Sequence, residues 1–565
     1  MVDTSKLSDD ERMLAELGYK QELSRSWSGF QNFAISFSII SILAGCFTTF
    51  GVAWNNGGPI AISWGWLILS TFILIIGFCM SELVSAYPTS AGIYWWASKL
   101  GGPRAGFYTG WLNLVGLLGI IASVVYGSAT FLNITIGLFS ESYATDFLGG
   151  DYLHQQFFWF IVVMILVTVL NLFRTSILGV INNVSVWWHV IGATIVILIM
   201  IFGPSEHQSL SFVFTERINN SGFGDASDPT SGAWFWIFVL PLGFLLTQYT
   251  ITGYDASAHL SEETQGAADG AAKGIWRSIF YSAIGGWILL LSFVFAATHL
   301  DYINSFDPAV NPYGGGTAIS IFASSLSMPL FKTVMVISTI GQVYCSTACL
   351  TSTSRMMFAF SRDGAVPGGQ LWAKVNKEKV PVNAVLASAV IGVLITLPAL
   401  YKAPNGIPVA FYAVVSIGVI GLYVAFAIPI YLRWRAGDDT TKFKPGSWTL
   451  GKKYKWMAPL ALIEIAITSI YFLFPTVPQG WPLHETDGVN DFSWVVVNYT
   501  PIVVLGVLLI ITIWWQVSAK NWFTGPKHTI DLPAGVSSAD EIALEHHHDG
   551  FLTGEHQQHH PEDKA

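Results

Sequence analysis

Charged side chains are scarce in this sequence: 27 Lys and Arg with 36 Asp and Glu among 565 residues, or 11%, against roughly 25% in soluble domains. That shortage excludes an ordinary water-soluble globule. With 52% hydrophobic residues and 53 glycines, the balance is the one expected when lipid solvates most of the surface. It also excludes collagen, a disordered chain and a nucleic-acid-binding protein. Cysteine is rare too: Cys46, Cys79, Cys345 and Cys349 all fall in apolar runs without zinc-type spacing. Neither a disulfide framework nor a metal site is indicated.

What is present is a series of long apolar runs. A bilayer core of about 30 Å needs roughly 20 such residues per helix. Twelve runs qualify: 29–53, 59–84, 104–136, 156–174, 180–203, 234–258, 276–298, 329–360, 383–400, 408–432, 456–475 and 496–516. Nothing resembles a cleaved secretory signal. With the N-terminus inside, only Arg217, Lys332 and Lys402 fall on the outer side, so 24 of the 27 basic residues lie inside. The positive-inside rule therefore predicts an all-α multi-pass protein of the plasma membrane with both termini cytoplasmic. The expected organisation is a cytoplasmic segment over 1–27, a twelve-helix domain over 28–518 and a solvated, disordered tail over 519–565. The tail's His546, His547 and His548 are read as part of that solvated end, since their spacing is irregular.

Two runs carry signals of interrupted helix. In the first, Ser36, Ser38 and Ser41 lead into Ala44, Gly45 and Cys46; in the sixth, Thr250, Thr252 and Gly253 lead into Tyr254, Asp255, Ala256 and Ser257. Irregular backbone at membrane depth is tolerated only where protein or a wet cavity surrounds it. Runs one and six are corresponding members of two five-helix halves that cross in opposite directions, which is an inverted repeat. Transporters so built hold substrate between two broken helices. A channel would need a ring of charges or a filter motif, and neither is found.

These residues give the chain a resemblance to the amino acid-polyamine-organocation superfamily, in its branch of amino acid, choline and 4-aminobutyrate permeases. The similarity runs from about residue 18 to 520. It is carried by Gly18-Tyr19, Ser26-Trp27-Ser28, the run Phe33 to Ser41, Glu82-Leu83 with Tyr87-Pro88-Thr89 and Gly92-Ile93-Tyr94, the run Thr252 to His259 with Glu262-Glu263, and Ser354-Arg355 with Phe360 to Gly364. The resemblance implies a secondary active transporter with a five-plus-five inverted-repeat fold, broken helices one and six, and two extra helices. It implies no ATP site and no cofactor, and no phosphate-binding Gly-rich lysine loop is found. Many amino-acid carriers of the superfamily place two or more glycines in the first break, where this chain has Leu43-Ala44-Gly45. That departure leaves small amines, 4-aminobutyrate and choline-like cations in play beside amino acids.

Embedded ionisable groups cost at least about 2.5 kcal/mol each on insertion scales, so each needs a reason. His189 lies at mid-depth in run five with a side chain that titrates near neutrality. By resemblance, proton-coupled members carry a lysine there in place of a sodium ion, so His189 is the candidate for proton coupling. Asp255 follows the second break and either attracts a cationic group or holds the unwound turn by accepting hydrogen bonds. His259, one helical turn on, approaches the inner surface with Glu262 and Glu263, where a gate is expected. Glu464 falls in run eleven, which the fold places outside the repeats, so packing or a subunit contact is expected of it. Glu82, Arg174, Lys332 and Arg355 lie near enough to run ends to snorkel.

The expected substrate site thus comprises Ser41, Ala44, Gly45, Gly253, Tyr254 and Asp255, with Trp111 and Asn113 of run three, and Tyr126 beside them. Tyr254 borders the break and is expected both to cover a substrate ammonium and to close the site. Cys345, Ser346, Thr347, Cys349 and Thr351 form a small polar face on run eight, with close packing expected of the cysteines. Hydroxyls on that run also offer sodium ligands. The expectation is a permease importing a small amino acid or amine, such as 4-aminobutyrate or choline, by alternating access and coupled to protons. Sodium coupling or exchange, and a transporter-like nutrient sensor, are the alternatives; no nucleophile–base pair marks an enzyme.

Overall fold

The computed structural model describes residues 8–527, except 141, 225–226, 314–315, 401–408, 487 and 495. The tail histidines His546, His547 and His548, and Lys402, lie outside the described residues. The elements used below, in chain order, are α1 (Asp9–Glu16), α2 (Gly29–Ile39), α3 (Gly45–Thr48), α4 (Phe50–Asn55), α5 (Trp66–Ala86), α6 (Gly92–Phe139), α7 (Tyr152–Asn171) and α8 (Thr175–Phe202). They continue with α9 (Leu245–Thr250), α10 (Ala256–His259), α11 (Ala267–Ala296), α12 (Met328–Arg362), α13 (Val382–Thr396), α14 (Val409–Ala436), α15 (Tyr454–Tyr471) and α16 (Thr500–Val517). Strand among the described residues is confined to two-residue antiparallel pairs in connecting segments, such as Asn56–Gly57 against Ile218–Asn219.

Among the described residues, ten helices are long and apolar enough to cross a membrane. Two of the twelve apolar runs are not among them. The first divides into α2, α3 and α4, of 11, 4 and 6 residues, so no piece is long enough alone. The eleventh forms α15, which reaches 18 residues but carries Lys455, Pro459 and Glu464. α6 is one continuous helix only by adjacency: Gly102 sits at φ 81° ahead of Pro103 and kinks it just before the third run begins at 104.

Sidedness is inverted relative to a soluble helix, as lipid requires. On α8, Val184, Trp187, Ile191 and Leu198 are exposed, while Asn182, Ser185, His189, Gly192 and Val196 are buried at intervals of three and four. Polar and small side chains thus face the protein interior, where they find hydrogen-bond partners. α2 opens with a reciprocal cap: Gln31 donates its N–H to the Ser28 hydroxyl (3.3 Å), and Ser28 donates its own to Gln31 Oε1 (2.9 Å). This fixes where the first run enters the fold and sets Asn32, Ser36 and Ser38 inward.

Candidate functional site

α2 stops at Ile39 and helix resumes at Gly45. In the turn between, Ala44 and Gly45 both donate to the Ser41 carbonyl (3.0 and 2.9 Å), while the N–H groups of Ile42 and Leu43 make no backbone hydrogen bond among the described residues. α9 likewise stops at Thr250 and α10 begins at Ala256. Gly253 between them has φ +82°, the left-handed region that glycine alone enters without strain. The two interruptions touch each other reciprocally. A Cβ on Gly253 would collide with Ile39, the last residue of α2, and one on Gly45 would lie 2.7 Å from the Cα of Thr250, the last residue of α9.

Ser36 fastens the pair. Its hydroxyl donates to the Tyr254 carbonyl (2.9 Å) and accepts the Ser257 N–H (3.0 Å). Ser257 donates to the Asn32 carbonyl (3.0 Å), and the Asn32 amide donates to the Ser257 carbonyl and the Thr264 hydroxyl, each at 2.9 Å. α12 closes over the first interruption with its polar face: Ser338 donates to the Leu43 carbonyl (2.7 Å) and the Cys345 thiol to that of Ile39 (3.2 Å). Each of these donors takes one of the two lone pairs of its carbonyl.

His189, fully buried, meets the first interruption at Ser41, with Oγ 2.6 Å from Nε2. Its Nδ1 lies 2.8 Å from the Ser185 carbonyl, which can only accept, so the hydrogen is assigned to Nδ1. Nε2 then accepts from Ser41, and a second proton on Nε2 would require that hydroxyl to turn round and accept instead. Ser38 donates to the Ser185 hydroxyl (2.7 Å), so three serines order the ring.

Asp255, buried beside the second interruption, accepts from the Asn113 amide (3.4 Å) and faces His259 Nε2 at 3.3 Å. His259 gives its Nδ1 hydrogen to the Ser90 carbonyl (3.1 Å), so only the imidazolium form can donate to Asp255. Asp255 Oδ1 and Asn113 Oδ1 have no hydrogen-bond partner among the described residues. The Tyr254 ring is buried 5.5 Å from that of Phe426. Trp111 instead joins an aromatic cluster with Phe107, Phe360 and Trp514, and Tyr126 packs on Phe160. Ser41, Ala44, Gly45, Gly253, Tyr254, Asp255 and Asn113 are thereby gathered around the two interruptions.

Sequence reasoning missed the groups that close one end of this region. Arg355 and Glu82, expected to snorkel, are buried: Arg355 pairs with Glu263 (2.8 Å) and Arg433 with Glu82 (3.0 Å). Desolvation is tolerated there because each charge meets its opposite. Arg362 binds both carboxylate oxygens of Glu262 (3.1 Å each) and stacks 4.1 Å from the Tyr19 ring. Glu262 also accepts the Ser90 N–H (2.9 Å). The N-terminal segment is laced in, with Trp27 exchanging backbone bonds with Glu263 and Gln265 (2.9 Å each). Opposite charges at the ends of runs six and eight were the available signal. Arg174, by contrast, is exposed and paired with Glu378 (2.6 Å).

Among the described residues no group of His, Cys, Asp and Glu could hold a metal ion. The chain matches the family model described as amino acid permease over residues 28–509. It is 37% identical over 525 residues to the amino-acid permease BAT1 of Arabidopsis thaliana, covering 91% of this chain and 95% of that one. It is 34% identical to the BAT1 homolog of Oryza sativa subsp. japonica, covering 92% and 95%. A putative polyamine transporter of Candida albicans is 26% identical, with 95% and 92% covered. A chain with ten apolar membrane-length helices among its described residues, matched along nearly its whole length to permeases, is a multi-pass membrane transporter and not an enzyme, and it belongs to the amino acid permease family of the amino acid-polyamine-organocation superfamily.

Proposed function

We propose that the protein imports a small amino acid or amine across the plasma membrane by alternating access, in symport with protons. Twelve membrane segments in two inverted five-helix halves plus two further helices underlie this reading. Residues 1–27 and 519–565 lie on the cytoplasmic side of a transporter domain spanning 28–518. The observation that carries it is the meeting of two helix interruptions in one buried polar region, with unpaired amides in the first and the Asp255 carboxylate beside the second. Unpaired amides favour an anionic group and a carboxylate favours a cationic one, the two ends of a zwitterion such as 4-aminobutyrate. An organic cation such as choline would use the carboxylate and the face of Tyr254.

His189 is the coupling group in this proposal. It reaches the first interruption through Ser41, so its protonation alters the hydrogen bonding of the turn that contacts substrate. Sodium coupling is disfavoured by the Ser338 and Cys345 hydrogens already directed at the carbonyls of that turn. In this reading His259 and Tyr254 act as the gate toward the cytoplasm, and the Arg355–Glu263 and Arg362–Glu262 pairs support it. The test is uptake by purified protein in liposomes of labelled 4-aminobutyrate, choline and amino acids, with a proton gradient, a sodium gradient or neither. Accumulation of one solute with the proton gradient alone is expected. Accumulation with sodium alone, or equilibration without any gradient, would overturn the coupling.

A further inference from the structure

Glu464 has the least explained position of any charge in the molecule. It stands near the middle of α15, is 6% exposed, and has no basic partner among the described residues. A lone carboxylate in such a place is costly unless something neutralises it. Packing or a subunit contact, the role expected for a helix outside the repeats, does not account for it. Glu464 points inward to α9, where the Gln248 amide donates to its Oε1. Gln248 lies two residues ahead of the end of α9, and so at the edge of the second interruption.

The atoms left over decide the chemistry. Among the described residues Glu464 Oε2 has no hydrogen-bond partner, and neither has Gln248 Oε1. Thr468, one turn along, directs its hydroxyl to the Glu464 backbone carbonyl (2.9 Å) instead. Two unpaired acceptors on side chains already joined by one hydrogen bond are satisfied together by a single hydrogen between them. Turning the Gln248 amide over would set oxygen against oxygen, which the same hydrogen would bridge.

We propose that Glu464 is a proton-binding site at the second interruption, where the carboxyl group shares its proton with Gln248. On protonation, a proton from the external solution binds Oε2, and the resulting O–H donates to Gln248 Oε1 while the amide continues to donate to Oε1 of Glu464. On release to the inner solution the carboxylate is again unneutralised, and Gln248 loses one of its two ties. Because Gln248 precedes the interruption that carries Gly253 and Asp255, the change bears on the site that holds substrate. Each interruption then has its own protonatable group, His189 at the first and Glu464 at the second.

Among the described residues the surroundings contain no competing cation. α14 contributes Tyr423, whose hydroxyl donates to the Ile251 carbonyl (3.1 Å), and the second interruption contributes Tyr254 and, beyond it, Asp255. The other charges on the helices packed against α15 are Glu82 of α5 and Arg433 and Arg435 of α14. Glu82 and Arg433 bind each other at the far end. On its own helix, Lys455 pairs with Asp438 (2.7 Å), and Lys452 and Lys453 lie in the turn before it.

This inference rests on the proton-symport reading, and its test separates the two. Infrared spectra of the purified protein between acid and alkaline pH are expected to show a buried protonated carboxyl band that Glu464→Gln removes. In liposomes with a gradient of about one pH unit, each coupled proton supports about ten-fold accumulation, because 1.4 kcal/mol is a factor of ten. Accumulation by Glu464→Gln, measured relative to its own exchange rate, should fall by about that factor. Gln248→Leu, which removes the proton's acceptor, should shift the pH at which the band titrates. If gradient-driven accumulation survives Glu464→Gln and the band is unchanged, the Glu464 site is overturned while proton symport stands. If the wild-type protein ignores the proton gradient, both fall.

Discussion

The middle of the molecule and the end proposed as its gate use polar groups in opposite ways. At the gate, Arg355, Arg362, Glu262 and Glu263 are joined by short, mostly bidentate ion pairs. In the middle, Asp255, Asn113 and Gln342 each leave an oxygen without a partner, and the amides of Ile42 and Leu43 point at no acceptor. A network whose carboxylates are all paired, even with Arg362 Nε left over, favours one arrangement and resists change, whereas an unsaturated one is completed by what enters it. In the proposed transport cycle the first would hold a closed state and the second would accept and release the solute.

Breaking the paired side should have the largest effect. Glu263→Ala leaves the Arg355 guanidinium buried without its carboxylate, a loss of about 3–5 kcal/mol for pairs of this kind. Thermal unfolding of the purified protein should show a markedly lower midpoint; an unchanged midpoint would mean that water reaches Arg355. Next comes Gly253→Ala, which forces a side chain into the left-handed region and against Ile39. Strain of about 1–3 kcal/mol is expected, with uptake reduced far more than folding. Equal uptake would show that the second interruption is not part of the transport cycle.

Ser36→Ala sharpens the comparison from the middle. It removes the hydroxyl shared by Tyr254 and Ser257 and leaves their buried backbone groups unpaired, at about 1–3 kcal/mol. Amide exchange at residues 254–257 should accelerate while the gate stays protected. Exchange quickened equally at both places would deny that the two regions are distinct.

The smallest effect is a pH dependence at the gate's outer layer. Asp363 accepts from the Tyr19 hydroxyl (3.0 Å) and the Lys527 N–H (3.1 Å), and burial raises its carboxyl from 3.8 to about 6, against the opposing pull of Arg362. A carboxyl raised in the folded state favours its neutral form, so the contact is firmest below 3.8, weakens as the pH climbs to about 6, and is constant above. Exchange protection of residues 520–527, corrected for intrinsic rates, should follow that course, and Asp363→Asn should flatten it.

Much of this was legible in the residues. The runs 329–360 and 180–203 correspond to Met328–Arg362 and Thr175–Phe202, because twenty apolar residues in lipid have few options besides helix. The positions of both interruptions followed from glycine beside small polar residues. Partnerships across the fold were not legible. Glu464 and Gln248 are 216 residues apart, and Arg355 and Glu263 are 92 apart; no periodicity along the chain links them. Trp111 is expected beside the substrate with Asn113 of the same run, but its ring direction depends on Phe360 and Trp514, which only the packed helices bring alongside. Arg355 looked free to snorkel because its distance from the run's end is readable and its carboxylate partner is not.

The central claim is that protons enter with solute through a middle region in which His189 governs the first interruption. The direct measurement is the ratio of protons to solute entering lightly buffered liposomes, read with a pH-sensitive dye and labelled solute together, for the wild-type protein and for His189→Ala. The account predicts proton entry with solute in the wild type and a lower ratio in the variant, with solute still exchanging across the membrane. An unchanged ratio in His189→Ala would contradict it.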